Sequence, residues 1–292
     1  MMHPLIKSLI KSGPVVTDGS WGTQMQKRGL KRGECPDSWN LSHPERVLEV
    51  AQQYVDAGSQ IILTNTFGGS RLALKKFELG EKTVEINMTG VEISKKAAGD
   101  RAYVFASIGP TGMMLVTRET TEEELQQVFE EQADAQVRAG ADGIIVETMI
   151  DVVEAKIAAT AAKQTGLPVI VSMVYDSGEN KDRTMMGDSP EQVLEELMSI
   201  GIDGIGANCG QGIEAFLPIC SRLRQATDLP IWMKPNAGLP EIVDDKTVFR
   251  TTAREFVQYI PELIQAGAGF IGGCCGTDQG FVEAIRETVD NL

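Results

Sequence analysis

The sequence predicts an α/β fold, a (β/α)8 barrel formed by one domain over residues 1–292, and three observations predict it. Short β-branched runs alternate with longer stretches of helical periodicity, the pattern of βα units around a parallel sheet. A glycine-to-strand segment recurs four times along the chain. The residues just beyond those recurring strands are polar or thiol-bearing at matched spacing, which suits the C-terminal mouth of a barrel.

Strands are expected at 14–18, 60–64, 102–107, 143–147, 168–173, 203–208, 230–234 and 269–273. Between them lie helical stretches. Ser42 before Pro44 and Ser189 before Pro190 read as N-caps followed by a proline suited to the first turn. In the stretch after Thr121, Leu125, Val128, Phe129, Ala133 and Val137 share one helix face, and Glu122, Glu123 and Glu124 sit where the helix dipole favours acid. The repeat reads AGSQIILTNT from Ala57, AGADGIIVET from Ala139, IGIDGIGANC from Ile200 and AGAGFIGGCC from Ala266. Its glycines, Gly58, Gly140, Gly201 and Gly267, fit helix-ending positions with positive φ. Seven positions beyond them stand Asn65, Glu147, Asn208 and Cys274, and one further Thr66, Thr148, Cys209 and Cys275. The repeat therefore gathers these groups at one height.

Composition narrows the partners. With 41 acidic and 27 basic residues the net charge is −14, which repels phosphate backbones and anionic lipid, so neither nucleic acid nor a membrane is an expected partner. The N-terminal MMHPLIKSLIKSG lacks the apolar core of a signal peptide, and no run reaches transmembrane length, so a cytoplasmic protein is expected. Five cysteines, two of them adjacent, make a poor disulfide framework and suit thiol or metal chemistry in a reducing compartment. The two histidines, His3 and His43, both fall in the N-terminal region and are not expected to be catalytic.

Cys274 and Cys275 lie in GGCCGT at the end of the eighth strand, and Cys209 lies in GANCG at the equivalent height on the sixth. Neighbouring strand residues point to opposite faces, so both Cys274 and Cys275 reach one ion only if the chain bends, which the flanking glycines permit. Three thiolates would leave one tetrahedral position of a zinc ion open, the pattern of a catalytic site at the strand ends. A substrate thiol in that position would be held as the thiolate, ready to attack an activated alkyl group without help from histidine. Cys35 in a charged loop and Cys220 on a helix are read instead as buried small residues. Asp18, at the head of Asp18-Gly19-Ser20, and Glu147 at the end of the fourth strand could clamp an α-amino group. Backbone N–H groups around Gly19 and Ser20 would then receive an α-carboxylate. Alternatively, Asp18 caps the following helix and Glu147 pairs with a surface base.

These motifs resemble the homocysteine S-methyltransferase family, and among its branches the homocysteine-binding barrel of cobalamin-dependent methionine synthase. The matching stretches are TDGSWGTQMQKRG from Thr17, ILTNTFGGSRLALKKF from Ile62, SIGPTG from Ser107, GIIVET from Gly143, GANCG from Gly206, KPNAG from Lys234 and GGCCGT from Gly272. The resemblance implies a zinc-dependent methyltransferase that makes methionine from homocysteine. Cys209, Cys274 and Cys275 would be the zinc ligands, and Asp18 and Glu147 the contacts to the substrate amino group. Asn236 is implied as a carbonyl ligand in the open position before substrate arrives. The betaine-using branch has tyrosines where this chain has Gly68 and Thr148, which disfavours betaine as donor. The sequence shows no folate- or corrinoid-binding module, so the expected donor is methylcobalamin carried on a separate corrinoid protein. S-methylmethionine is the alternative donor. Two other readings keep the barrel: a component of a corrinoid methyltransferase system acting on another small metabolite, and a non-catalytic zinc- or thiol-binding protein.

Overall fold

The computed structural model describes residues 2–243 and 246–292. Eight parallel strands form one sheet: β1 (Val15–Val16), β2 (Ile61–Leu63), β3 (Tyr103–Ile108), β4 (Gly143–Met149), β5 (Val169–Met173), β6 (Gly204–Gly212), β7 (Ile231–Asn236) and β10 (Ala268–Ile271). Their order is β1-β10-β7-β6-β5-β4-β3-β2. A parallel bridge from Thr17 to Ile61 and the Gln60 N–H bond to the Val16 carbonyl, 2.8 Å, bring the two ends together. The expected barrel is therefore present, closed by a short seam between β1 and β2. An antiparallel hairpin, β8 (Glu241–Val243) with β9 (Lys246–Val248), was not expected and lies in the connection after β7.

The strand residues divide the core in two. Val15, Ile61, Leu63, Phe105, Ile145, Ile170, Trp232 and Phe270 point inward and pack with Ile6. Residues at alternate positions, such as Val16, Ile62, Val104, Ile144, Val169 and Ile205, join the larger cluster under the helices. Ile6 belongs to the helix Pro4–Ile10, so the N-terminal segment contributes to the inner cluster. Asp203, at the start of β6, ties that helix down by accepting from His3 N at 2.6 Å, and it also accepts from Lys163 Nζ and Val169 N.

The repeat glycines behave as their positions require: Gly58, Gly140, Gly201 and Gly267 all have φ between 76° and 112°. Ser189 caps Pro190–Met198 in a full capping box. Ser42 does not cap Pro44–Asp56; it ends the preceding helix Trp39–Ser42, and His43 stands at the N-cap without a side-chain bond. The last barrel strand stops at Ile271, two residues earlier than the pattern suggests, because the glycine pair Gly272-Gly273 leaves the ladder. Among the described residues, no helix is long and apolar enough to cross a membrane.

Candidate active site

The C-terminal mouth holds a cavity of about 580 Å³, a size that accommodates two small reactants. Its lining includes Gly19, Ser20, Glu147, Lys234, Cys209, Cys274 and Cys275, with Trp21, Phe67, Phe77 and Phe249 contributing apolar surface.

All three sequence-selected thiols converge here. Their sulfurs lie within 4.8 Å of one another, with Cys209 Sγ 3.9 Å from Cys275 Sγ. Four ligands at about 2.3 Å in a tetrahedron stand about 3.8 Å apart, so this spacing matches a zinc ion's requirement and is far beyond a disulfide's. Cys274 and Cys275 achieve this because they leave the strand and enter a turn completed by Gly276 at φ 85°. Cys209 achieves it by adopting φ 63°, which turns its side chain away from the regular strand direction. Hydrogen bonds from the Cys274 and Cys275 thiols pull the Cys209 thiol far below its ordinary range and push the other two up. A divalent cation among the three sulfurs is what would allow all of them to ionise. Cys35 and Cys220 are buried elsewhere, and burial pushes both thiols up, Cys35 to about 11 and Cys220 to about 12.

A second strained residue marks the same rim. Thr148 has φ 60°, an outlier for a β-branched side chain that costs about 1–3 kcal/mol. Asn208 holds it: its Oδ1 accepts from Thr148 N at 2.9 Å and from Ser172 Oγ at 2.7 Å, while its Nδ2 donates to Thr148 Oγ1 at 2.6 Å. The same Nδ2 lies 3.9 Å from Cys274 Sγ. Asn208 therefore couples β4, β5 and β6 to the thiol cluster, a role that its place in the repeat marked only as a position.

Glu147 and Asp18 part company. Glu147 lines the cavity and accepts from Ser107 Oγ at 2.6 Å. Burial raises its carboxyl above the usual range, against the pull of the Lys234 ammonium and the Ser107 hydroxyl. Asp18 is wholly buried behind the lining. Its Oδ2 accepts from Trp21 Nε1 at 2.7 Å and Leu63 N at 2.8 Å, and its Oδ1 is bound by Lys234 Nζ. The carboxylate expected to meet a substrate amino group thus accepts three hydrogen bonds, from Trp21, Leu63 and Lys234, of the roughly four it can take. Asp18 does not cap the next helix; Ser20 does. Asn236 is 3% exposed and its Oδ1 accepts from Cys275 N at 3.0 Å, so its carbonyl is engaged in fixing the turn. Burial works against the Lys234 charge, but Asp18 and Glu147 outweigh it and raise its pKa.

Asp37 is a further carboxyl in the lining that sequence reading did not single out. It accepts from Gly68 N at 2.9 Å and faces the Cys35 thiol at 3.9 Å, and no cation pairs with it among the described residues. Burial raises it to about 7. A buried acid with a raised pKa favours folding when neutral, and that advantage is lost as pH rises through about 7. Asp37→Asn is therefore expected to match the parent near pH 4 and exceed it at pH 8 by about 2 kcal/mol, roughly half the ceiling that the shift implies. Urea melts at both pH values measure this, and equal stability at pH 8 would contradict it.

Residues 15–289 match the homocysteine S-methyltransferase family model, and the chain belongs to that family. Methionine synthases from Mycobacterium leprae and Mycobacterium tuberculosis are 27% and 26% identical over 94% and 95% of this chain. The chain spans only about a quarter of their length, 24% and 25%. Homocysteine methyltransferase MmuM from Escherichia coli shares the fold in its oxidized and metallated forms, with TM-scores of 0.83 and 0.82 at 21% and 22% identity. In both comparisons 98% of this chain overlies 99% of MmuM.

Proposed function

We propose that this barrel methylates the sulfur of homocysteine to form methionine, with zinc held by Cys209, Cys274 and Cys275. The observation that carries the reading is the convergence of three thiols, at zinc-ligand spacing, in the lining of a cavity large enough for an acceptor and a donor. When bound, the metal supplies the positive charge that keeps an acceptor thiol ionised near neutral pH. The remaining chemistry belongs to the chain. Asn236 and Asn208 hold the thiol-bearing segments in place. Glu147, fixed by Ser107, offers an acceptor for the substrate ammonium. The Gly19 and Ser20 backbone lines the same wall. The acceptor sulfur forms a bond to the methyl carbon as that carbon's bond to the donor breaks, the electron pair leaving with the donor.

For the donor we propose a methylated corrinoid presented by another protein, which the methionine synthase relatives and the wide, partly apolar mouth support. One observation favours S-methylmethionine as a second reading: Asp37 is a carboxyl in the cavity lining with no cationic partner among the described residues, and a sulfonium beside it would favour its ionised form. Zinc-reconstituted protein with homocysteine should produce methionine from methylated corrinoid protein or free methylcobalamin. Product from S-methylmethionine alone would select the second donor, and no product from any of these would defeat the homocysteine assignment.

A further inference from the structure

The three cysteines assigned to zinc also line the cavity in which the methyl group is transferred. As thiolates they would stand beside the donor permanently, while the acceptor's sulfur comes and goes. A methyl group taken by a resident sulfur would turn a charged ligand into a neutral thioether, so the site needs its own sulfurs to be the poorer nucleophiles. The carboxamide of Asn208 meets that need at Cys274. It is 1% exposed, and its partners fix its orientation: Oδ1 accepts from Thr148 N at 2.9 Å and from Ser172 Oγ at 2.7 Å. A backbone N–H only donates, so the amide cannot be turned round. Nδ2 therefore faces the other way, with two hydrogens to place. One goes to Thr148 Oγ1 at 2.6 Å, and the other has Cys274 Sγ at 3.9 Å as its partner among the described residues. Asn208 lies on β6 next to Cys209, yet this N–H crosses to a thiol that follows β10.

We propose that Asn208 is a positioning residue that sets which sulfur is methylated: its second N–H engages the Cys274 sulfur and leaves the acceptor's sulfur the better nucleophile. The inference rests on the three-cysteine zinc reading and does not depend on which thiol is the acceptor. A thiolate that accepts a hydrogen bond gives part of its electron density to the donor hydrogen and attacks carbon more slowly. In the reaction that Asn208 suppresses, a Cys274 S–C bond forms as the methyl carbon's bond to its leaving group breaks. The electron pair departs with that group, and S-methylcysteine remains. Asn208 is not part of the cavity lining, so it works through Cys274 and not on either reactant. The strained Thr148 backbone has a use in this arrangement. At φ 60° its N–H and its hydroxyl both meet the Asn208 amide, which holds the remaining N–H toward Cys274.

Methyl methanesulfonate, a small neutral methylating agent that needs no partner protein, tests this on zinc-reconstituted protein without acceptor. Peptide mass spectrometry reads S-methylation at each cysteine, and Cys275, in the same lining, is the internal reference. In the parent, Cys274 should react more slowly than Cys275, and the reverse order would overturn the inference without any substitution. Asn208→Leu removes the amide without adding charge, and Asn208→Asp keeps an oxygen for Thr148 N and Ser172 Oγ while removing the N–H. Both should raise the ratio of Cys274 to Cys275 methylation by about tenfold, the lower end of what a hydrogen bond to a charged group supplies. Ser172→Ala takes away one support of Asn208 but leaves its N–H, and should keep the parent's ratio. Cobalt(II) in place of zinc gives a readout apart from reactivity. Its thiolate-to-metal charge-transfer band should move to longer wavelength in both Asn208 variants and stay in place in Ser172→Ala. An unchanged ratio and band in an Asn208 variant that binds one metal per chain, or the same changes in Ser172→Ala, would overturn the inference. A parent that takes up neither zinc nor cobalt would overturn the zinc reading beneath it. The expected ratios and bands without methionine formation would overturn the homocysteine reading alone.

Discussion

Cys275→Ser is expected to reduce bound zinc from one ion per chain to none after gel filtration and to lower methyl transfer by at least about a thousandfold. Substitutions in the shell around a metal typically cost about 10–100-fold, so loss of a ligand must cost more. Serine matches cysteine in shape, but its hydroxyl stays protonated near neutral pH and cannot replace a thiolate. Cys275 is the most informative of the three. Its side chain is only partly buried, so the barrel core is untouched, and its backbone N–H to Asn236 survives the change. The melting temperature of metal-free protein should therefore move by less than about 2 °C while the metal content collapses. Asn236→Ala supplies the graded control: if Asn236 only fixes the turn, activity should fall about 10–100-fold with metal retained at saturating zinc. Full zinc and full rate in Cys275→Ser would remove the three-thiol site from the mechanism.

Cys209, Cys274, Cys275 and Glu147 were legible in the sequence as groups at one height because the recurring glycine starts each even-numbered strand at a common phase. Counting from Gly140, Gly201 and Gly267 therefore measures height in the barrel. Height is a property of one strand at a time. What lies beside a residue across the barrel is not, and that is why Asp18 gave no sign of its buried ion pair. Its partner Lys234 is 216 residues away, and only the closure of the sheet around β1, β10 and β7 brings them together. Asn208 shows the same limit: its position was marked, but its bonds to Thr148 and Ser172 cross two strand boundaries. Asp37 was invisible for another reason. It lies in a single 3-10 turn, Pro36–Ser38, too short to show periodicity, docked by Asn65 Nδ2 on the Pro36 carbonyl at 2.8 Å and by the Gly68 N–H. The early end of the last strand was hidden because glycine pairs serve strands and turns alike.

Gly206→Ala is expected to prevent folding or to destabilise the protein by more than about 4 kcal/mol, in the range reserved for a severe core defect. A Cβ on Gly206 would lie 1.8 Å from the Trp232 carbonyl oxygen, 2.6 Å from its carbon and 2.8 Å from its Cα. These are backbone atoms, so no rotamer change relieves the overlap. Strands β6 and β7 would have to separate where Gly206 pairs with Trp232, breaking a ladder that also joins Ile205 to Ile231 and Ala207 to Met233. Gly22→Ala is the matched control, because nothing lies within 4 Å of its added Cβ and it sits in the helix Trp21–Lys27, where alanine gains up to about 1 kcal/mol. The site depends on the same ladder. β6 carries Asn208 and Cys209, and β7 carries Lys234 and Asn236. Any displacement that accommodates the methyl group moves Cys209 away from Cys274 and Cys275, so zinc affinity should fall together with the urea midpoint. A Gly206→Ala protein with the parent's midpoint would show that the two strands can part without cost, contrary to the close approach seen here.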